Sequence, residues 1–119
     1  SKEAKSVYEI VKESQKAGLK AVRPQKTCSS VDNVCRKIIE EHNYGPYFIH
    51  STGHGIGLDV HESPNISSKS REKLKKDMAI TVEPGIYIPK KFGVRIEDSL
   101  IVKDRAYVMH KFTKDLIII

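Results

Sequence analysis

Apolar residues recur at helical spacing in the first part of this chain and at every second position in the last part. From Ala4 they fall at Val7, Tyr8, Val11 and later Val22, with Glu, Lys and Gln between. This predicts an amphipathic helix that ends near Arg23, because Pro24 disfavours helix in the residue before it. Thr27, Ser29 and Ser30 are each suitable N-caps for a second helix, along which Val31, Val34, Cys35, Ile38 and Ile39 are spaced. Gly45 and Pro46 are expected to stop it. "YFIHST" and "IGLDVHE" then read as extended segments around a glycine-rich bend. "NISSKSREKLKKDM" is polar and has room for a turn of helix. "AITVEPGIYI" alternates and is expected to turn at Pro84-Gly85. "GVRIEDSLIV" alternates as a strand, with "AYVMH" its hairpin partner across "KDR" and the apolar tail "LIII" paired or packed. Helices first and strands afterwards predict an α+β fold, with the helices covering one face of a sheet.

The chain's 119 residues make one domain at most. It begins without Met or a signal-peptide pattern, as an internal piece of a longer protein would. No run of apolar residues is long enough to span a membrane, so no membrane partner is expected. The net charge of +6 raises nucleic acid as a partner. The basic residues are mostly Lys scattered among acids, as in "SREKLKKD", and few aromatics are placed to stack on bases, so a solvated surface is the better reading. Cys28 and Cys35, if both helical, lie about 10 Å apart along the axis. That is too far for a disulfide, and reduced thiols in a cytoplasmic protein are expected.

Three of the five histidines, His50, His54 and His61, lie in "HSTGHGIGLDVHE". His50 and His54 would share a face of a regular strand, and a bulge at Gly55-Ile56-Gly57 would let His61 join them. In "GVRIEDSLIV", Val94, Ile96, Asp98, Leu100 and Val102 read as the core face. Arg95 and Glu97 then stand together on the other face, either as a solvated ion pair or as part of a site. Glu83 ends an otherwise apolar run, where Pro84 interrupts the ladder. His54, Glu83 and Glu97 together make a nitrogen/oxygen donor set suited to Mn, Co, Fe or Zn. Carboxylates that bridge two ions would build a dinuclear centre that activates water. There is no H-E-x-x-H, which excludes a helical zincin site.

"FIHSTGHGIGLDVHESP", "MAITVEPGIYIP" and "GVRIEDSLIV" closely resemble, in order, the C-terminal half of the Xaa-Pro peptidases, aminopeptidase P and proline dipeptidase (prolidase), of the creatinase/methionine-aminopeptidase "pita-bread" fold. The likeness reaches back through "YEIVKESQKAGLKAVRPQKT" and covers nearly the whole chain, and Arg95-Ile96-Glu97-Asp98 favours the proline-specific branch. The resemblance implies residues 1–119 as a single partial domain, two helices on a curved, mainly antiparallel sheet. It implies His54, Glu83 and Glu97 as metal ligands, with Glu97 bridging two ions and Glu83 also shuttling a proton. It implies His50 and His61 as substrate-flanking catalytic residues that orient the peptide and stabilise its oxyanion. Arg95 would support substrate or the bridging glutamate. The reaction implied is hydrolysis, by an activated water, of the bond between an N-terminal residue and a following proline.

Two aspartate ligands of that family come from strands upstream of the first helix here. The Asp residues at 32, 59, 77, 98, 104 and 115 match neither, and a further pocket histidine is also lacking. With three of five ligands, this fragment is expected to be inactive alone. It would hold at most one weakly bound divalent ion, where the complete enzyme holds two (Mn, Co or Zn). The partners expected are a peptide with proline at its second position, the missing N-terminal half of the domain, and a possible homodimer through the open sheet edge. The alternative is a pita-bread module used for binding rather than catalysis. Asp77 stands where the family usually has Gly, and only a changed turn is expected there.

Overall fold

The computed structural model describes residues 1–56 and 64–118, the stretch 110–118 by its backbone alone. Helix α1 runs Lys2–Ala21, starting earlier than its apolar spacing predicts because Ser1 caps it, its hydroxyl accepting from Ala4 N at 3.2 Å. Val22 is already extended, so the helix ends ahead of Pro24. Helix α2 spans Cys28–Glu41 and is capped by Thr27, whose Oγ1 accepts from Ser30 N at 3.2 Å. It ends before Gly45-Pro46. Asn43 adopts a left-handed backbone, and Gly45–Tyr47 forms a 3-10 turn of its own. "YFIHST" therefore opens in that turn, and Phe48–Ser51 carry no strand pairing.

Among the described residues six strands follow: β1 Gly53–His54, β2 Asn65–Ile66, β3 Ala79–Val82, β4 Gly85–Ile88, β5 Phe92–Val102 and β6 Ala106–Ile118. All pair antiparallel. The turn of helix expected in "NISSKSREKLKKDM" does not form. That segment pairs with β1 through β2, bridges Thr27 through Lys73, and fixes buried Leu74 by bonds to Gln25 and Lys26. A turn at Pro84-Gly85 is also absent. The pairs Ala79↔Ile101, Val82↔Asp98, Gly85↔Arg95 and Ile88↔Phe92 lie in one continuous register, so β3 and β4 are one line along β5. Pro84 donates nothing, yet its carbonyl accepts from Ile96 N at 3.4 Å and carries the ladder across the break. The chain reverses only at Lys90 (φ 62°). "AYVMH" and most of the tail form one strand, β6, paired to the other edge of β5 with two register shifts.

The face of β5 carrying Val94, Ile96, Asp98, Leu100 and Val102 is buried as its alternation predicts, with Ile80, Val82 and Ile86 beside it. α1 covers it with Val7, Ile10 and Val11, and each such side chain contributes about 1.5–3 kcal/mol. Asp98 is accommodated there because Gln15 Nε2 donates to its Oδ2 at 2.6 Å. The helices touch where Ser14 Oγ donates to Cys35 O at 2.8 Å. Burial pushes the Cys35 thiol up to about 12 and raises Cys28 as well; both cysteines are free. A Cβ on Gly18 would sit 2.4 Å from Cys35 Sγ. Gly18→Ala should therefore destabilise by about 1 kcal/mol or more, overpacking outweighing alanine's helix preference. Adding Cys35→Ala should recover part of the loss, as urea midpoints of the single and double variants would report.

Asp77, where a glycine was the expectation, sits at φ 74°. Its carboxylate accepts from Lys103 Nζ at 2.5 Å, and that bond and charge hold it below the usual carboxylate range. The turn is left-handed at this position, a shape an aspartate tolerates.

Candidate metal centre

The outer face of the hairpin collects the polar residues. Odd positions of β3–β4 and β5 point there, and the registers on either side of the break place Glu83 directly opposite Glu97. Next along are Gly85 opposite Arg95 and Tyr87 opposite Gly93. Arg95 Nε lies 3.7 Å from Glu97 Oε1, with side chains 32% and 24% exposed. The pair predicted from alternation is thus half-enclosed beside a second carboxylate.

His54 arrives from β1, which lies along the free edge of β3. Its backbone N donates to Thr81 Oγ1 at 3.1 Å, Gly55 bridges Ile80, and Glu83 N donates to Thr52 O at 2.6 Å. His54 Nδ1 is 2.9 Å from Gly55 O. A carbonyl only accepts, so Nδ1 carries a proton, and in the neutral form of the ring the lone pair is on Nε2. That nitrogen lies 3.4 Å from Glu83 Oε2. An imidazole nitrogen and a carboxylate oxygen so placed are bridged either by a proton or by a metal ion, and 3.4 Å is within the span of two ligands each about 2.1 Å from one ion. A backbone carbonyl holding the far ring nitrogen is the usual support of a metal-ligating histidine. The donor chemistry therefore fits a divalent ion, with Glu97 across the ladder as the next oxygen. Among the described residues, no three His, Cys, Asp or Glu side chains form a complete ion-holding group.

His50 is not on the face of a strand shared with His54. Its Nδ1 donates to Ser51 O at 2.7 Å, and its Nε2 accepts from the Tyr87 hydroxyl at 2.8 Å. In this tautomer both nitrogens are engaged and the Tyr87 proton is taken up by His50, which leaves the Tyr87 oxygen as an acceptor. Gly85 and Gly93 make the arrangement possible. A Cβ on Gly85 would be 2.8 Å from the Tyr87 hydroxyl, and one on Gly93 would be 2.7 Å from its ring. The ring thus lies along the sheet with its hydroxyl over Gly85, toward the glutamates. Sequence reading missed Tyr87, although it shares parity with Glu83. His61 and Gly57, on which convergence of the three imidazoles depended, lie outside the described residues.

Sequence comparison identifies the family. The pattern of metallopeptidase family M24 matches residues 1–104, and the chain belongs to that family. Its architecture is part of the pita-bread fold of the prolidases. The Xaa-Pro dipeptidase of Pyrococcus furiosus is 50% identical over 102 residues, which cover 86% of this chain and 29% of that protein. A putative Xaa-Pro aminopeptidase of Mycoplasma pneumoniae is 50% identical over 101 residues, 85% of this chain and 28% of its own length. The structure of the Xaa-Pro dipeptidase from Bacillus anthracis superposes with a TM-score of 0.90 at 47% identity, covering 100% of this chain and 34% of that one. The chain therefore spans about a third of the length of the relatives it matches. Among the described residues no helix is long and apolar enough to cross a membrane.

Proposed function

We propose that the protein containing this segment is a cytoplasmic, metal-dependent peptidase that hydrolyses the bond between an N-terminal residue and a following proline. The observation that carries this reading is the His54–Glu83 couple. One imidazole lone pair and one carboxylate oxygen face each other at 3.4 Å, with Glu97 opposite across the ladder. His54, Glu83 and Glu97 would hold divalent ions (Mn, Co or Zn), which supply Lewis acidity and an activated water when bound. Glu83 is the carboxylate placed to accept a proton and pass it to the leaving proline nitrogen. Tyr87, whose O–H is held by His50 Nε2, turns its remaining oxygen lone pair toward the same face, and Arg95 keeps Glu97 oriented. His61 is assigned a place beside the substrate. Two further ligands would come from the other half of the domain, so residues 1–119 form one part of the catalytic domain and hold at most one ion weakly. Among the described residues β6 pairs only with β5, and its outer edge would take that half or a second copy.

Hydrolysis of Ala-Pro with added Mn²⁺ tests this reading. The full-length protein should turn over and the isolated segment should not; inactivity of both would overturn it. In the full-length protein His61→Ala should lower turnover about 10²-fold and spare the bound metal, the cost of removing one donor to a developing oxyanion. Metal analysis beside the kinetics checks both halves of that expectation.

A further inference from the structure

We propose that Asp32 and Arg36 are a positioning pair for this site, acting through His50; the inference rests on the reading of His50 as a substrate-side residue. Asp32, on α2, is fully buried. Its Oδ2 accepts from Arg36 Nε at 3.0 Å, and its Oδ1 accepts from Arg36 Nη2 at 3.1 Å and from Thr52 Oγ1 at 2.8 Å. Thr52 N, whose main bond is to Ile66 O, adds a longer contact to the same oxygen at 3.2 Å. Arg36 also donates from Nη1 to Phe48 O and from Nη2 to His50 O, both at 3.0 Å, with its guanidinium 4.0 Å above the Phe48 ring.

Two side chains one helical turn apart thus meet the backbone at residues 48, 50 and 52. Those are alternate positions along the segment; the carbonyls at 48 and 50 are groups a neighbouring strand would otherwise bind, and Thr52 N donates to Ile66 O of β2. The planar guanidinium fork is suited to that spacing, whereas a lysine is a single point charge. Burying such a pair is a weak source of stability, since apolar residues of the same volume would serve a helix as well. Apolar residues would not hold three backbone groups in place. His50 is anchored by its own carbonyl, and Thr52, anchored by Asp32, holds the N–H of Glu83. A cleft of about 540 Å³ opens alongside, lined by Arg36, His50, Ser51, Asn65 and Lys69 among others.

The test is a double-mutant cycle in the full-length Mn²⁺-loaded protein acting on Ala-Pro, with Arg36→Lys, His50→Ala and the pair of them together. Imidazole nitrogen spectra of the Zn²⁺-loaded forms accompany it. Arg36→Lys should lower kcat about tenfold or more with metal content unchanged, and should alter the His50 ring signal, because a small displacement of a positioned group costs this much. In the His50→Ala background the same change should cost less than about twofold, since the route of action is already gone. Losses that multiply independently, or an unaltered His50 signal, would overturn the proposal. If His50→Ala alone leaves kcat unchanged, the substrate-side role of His50 fails, and the ring signal still decides whether Arg36 places it. Should Arg36→Lys not fold, Thr52→Val removes the 2.8 Å bond to Asp32 and enters the same cycle.

Discussion

Gly53→Ala should destabilise the protein by about 3 kcal/mol or more and remove metal binding with it. A Cβ on Gly53 would lie 1.9 Å from the Thr81 carbonyl oxygen and 2.7 Å from its carbon. Both atoms belong to the backbone of β3, where no rotamer change relieves the contact. Overpacking of this kind costs about 1–3 kcal/mol when side chains can yield, and more when the obstacle is main chain. β1 would have to lift from β3. It would then give up the bonds from Glu83 N to Thr52 O, from His54 N to Thr81 Oγ1 and from Ile56 N to Ala79 O. Each is worth about 0.5–1.5 kcal/mol. These bonds also place His54 against Glu83, so the ion site goes with them. No glycine among the described residues has a positive φ, so backbone strain is not the cause and alanine's own conformational preferences offer no relief. A urea midpoint giving a loss below about 1 kcal/mol, or an unchanged Mn²⁺-induced rise in Tm, would contradict this account.

That glycine corrects the reason for the glycine-rich stretch. Flexibility is what the sequence suggests there, and close approach of two backbones is what Gly53 supplies. Other parts were legible for local reasons. The apolar spacing of α1 and α2 and the alternation of β5 report directly which face is buried, and they separate Arg95 and Glu97 from the core face without any long-range information. The pairing of Glu83 with Glu97 was not legible, because it depends on register between strands. A Glu-Pro-Gly sequence carries strong turn chemistry, which the continuous pairing on both sides of it overrides. Tyr87 was hidden for a related reason. Its position depends on two glycines, one on each strand, that only the register sets beneath its ring. Asp32 and Arg36 were not singled out from the sequence, yet Asp32 falls beside Val31 and Cys35 within the apolar stripe. A carboxylate on that stripe was a signal that a polar partner must enter the core, and Thr52 and Arg36 are those partners.

Register also determines the sign of the remaining expectation. Glu83 and Glu97 face each other, and like charges directly opposite on a sheet destabilise it by a few tenths of a kcal/mol. Arg95 offsets part of that. Glu97→Gln should therefore leave the metal-free protein as stable as the parent or slightly more so. Added Mn²⁺ should reverse the ranking. An ion present at about 100 times its Kd stabilises the native state by about 2.7 kcal/mol, and the variant, lacking one carboxylate, should gain little or nothing. Hydrolysis of Ala-Pro by the full-length protein should fall on the order of 10³-fold or more, because the bound ions supply several kcal/mol of transition-state stabilisation. His54→Ala should lose metal and activity together in the same way, but without the gain in metal-free stability, since it leaves Glu83 and Glu97 facing each other. Thermal unfolding with and without Mn²⁺, on both variants, separates these outcomes. If Glu97→Gln destabilises the metal-free protein by more than about 1 kcal/mol, Glu97 serves the fold through Arg95 and its place at the metal must be given up.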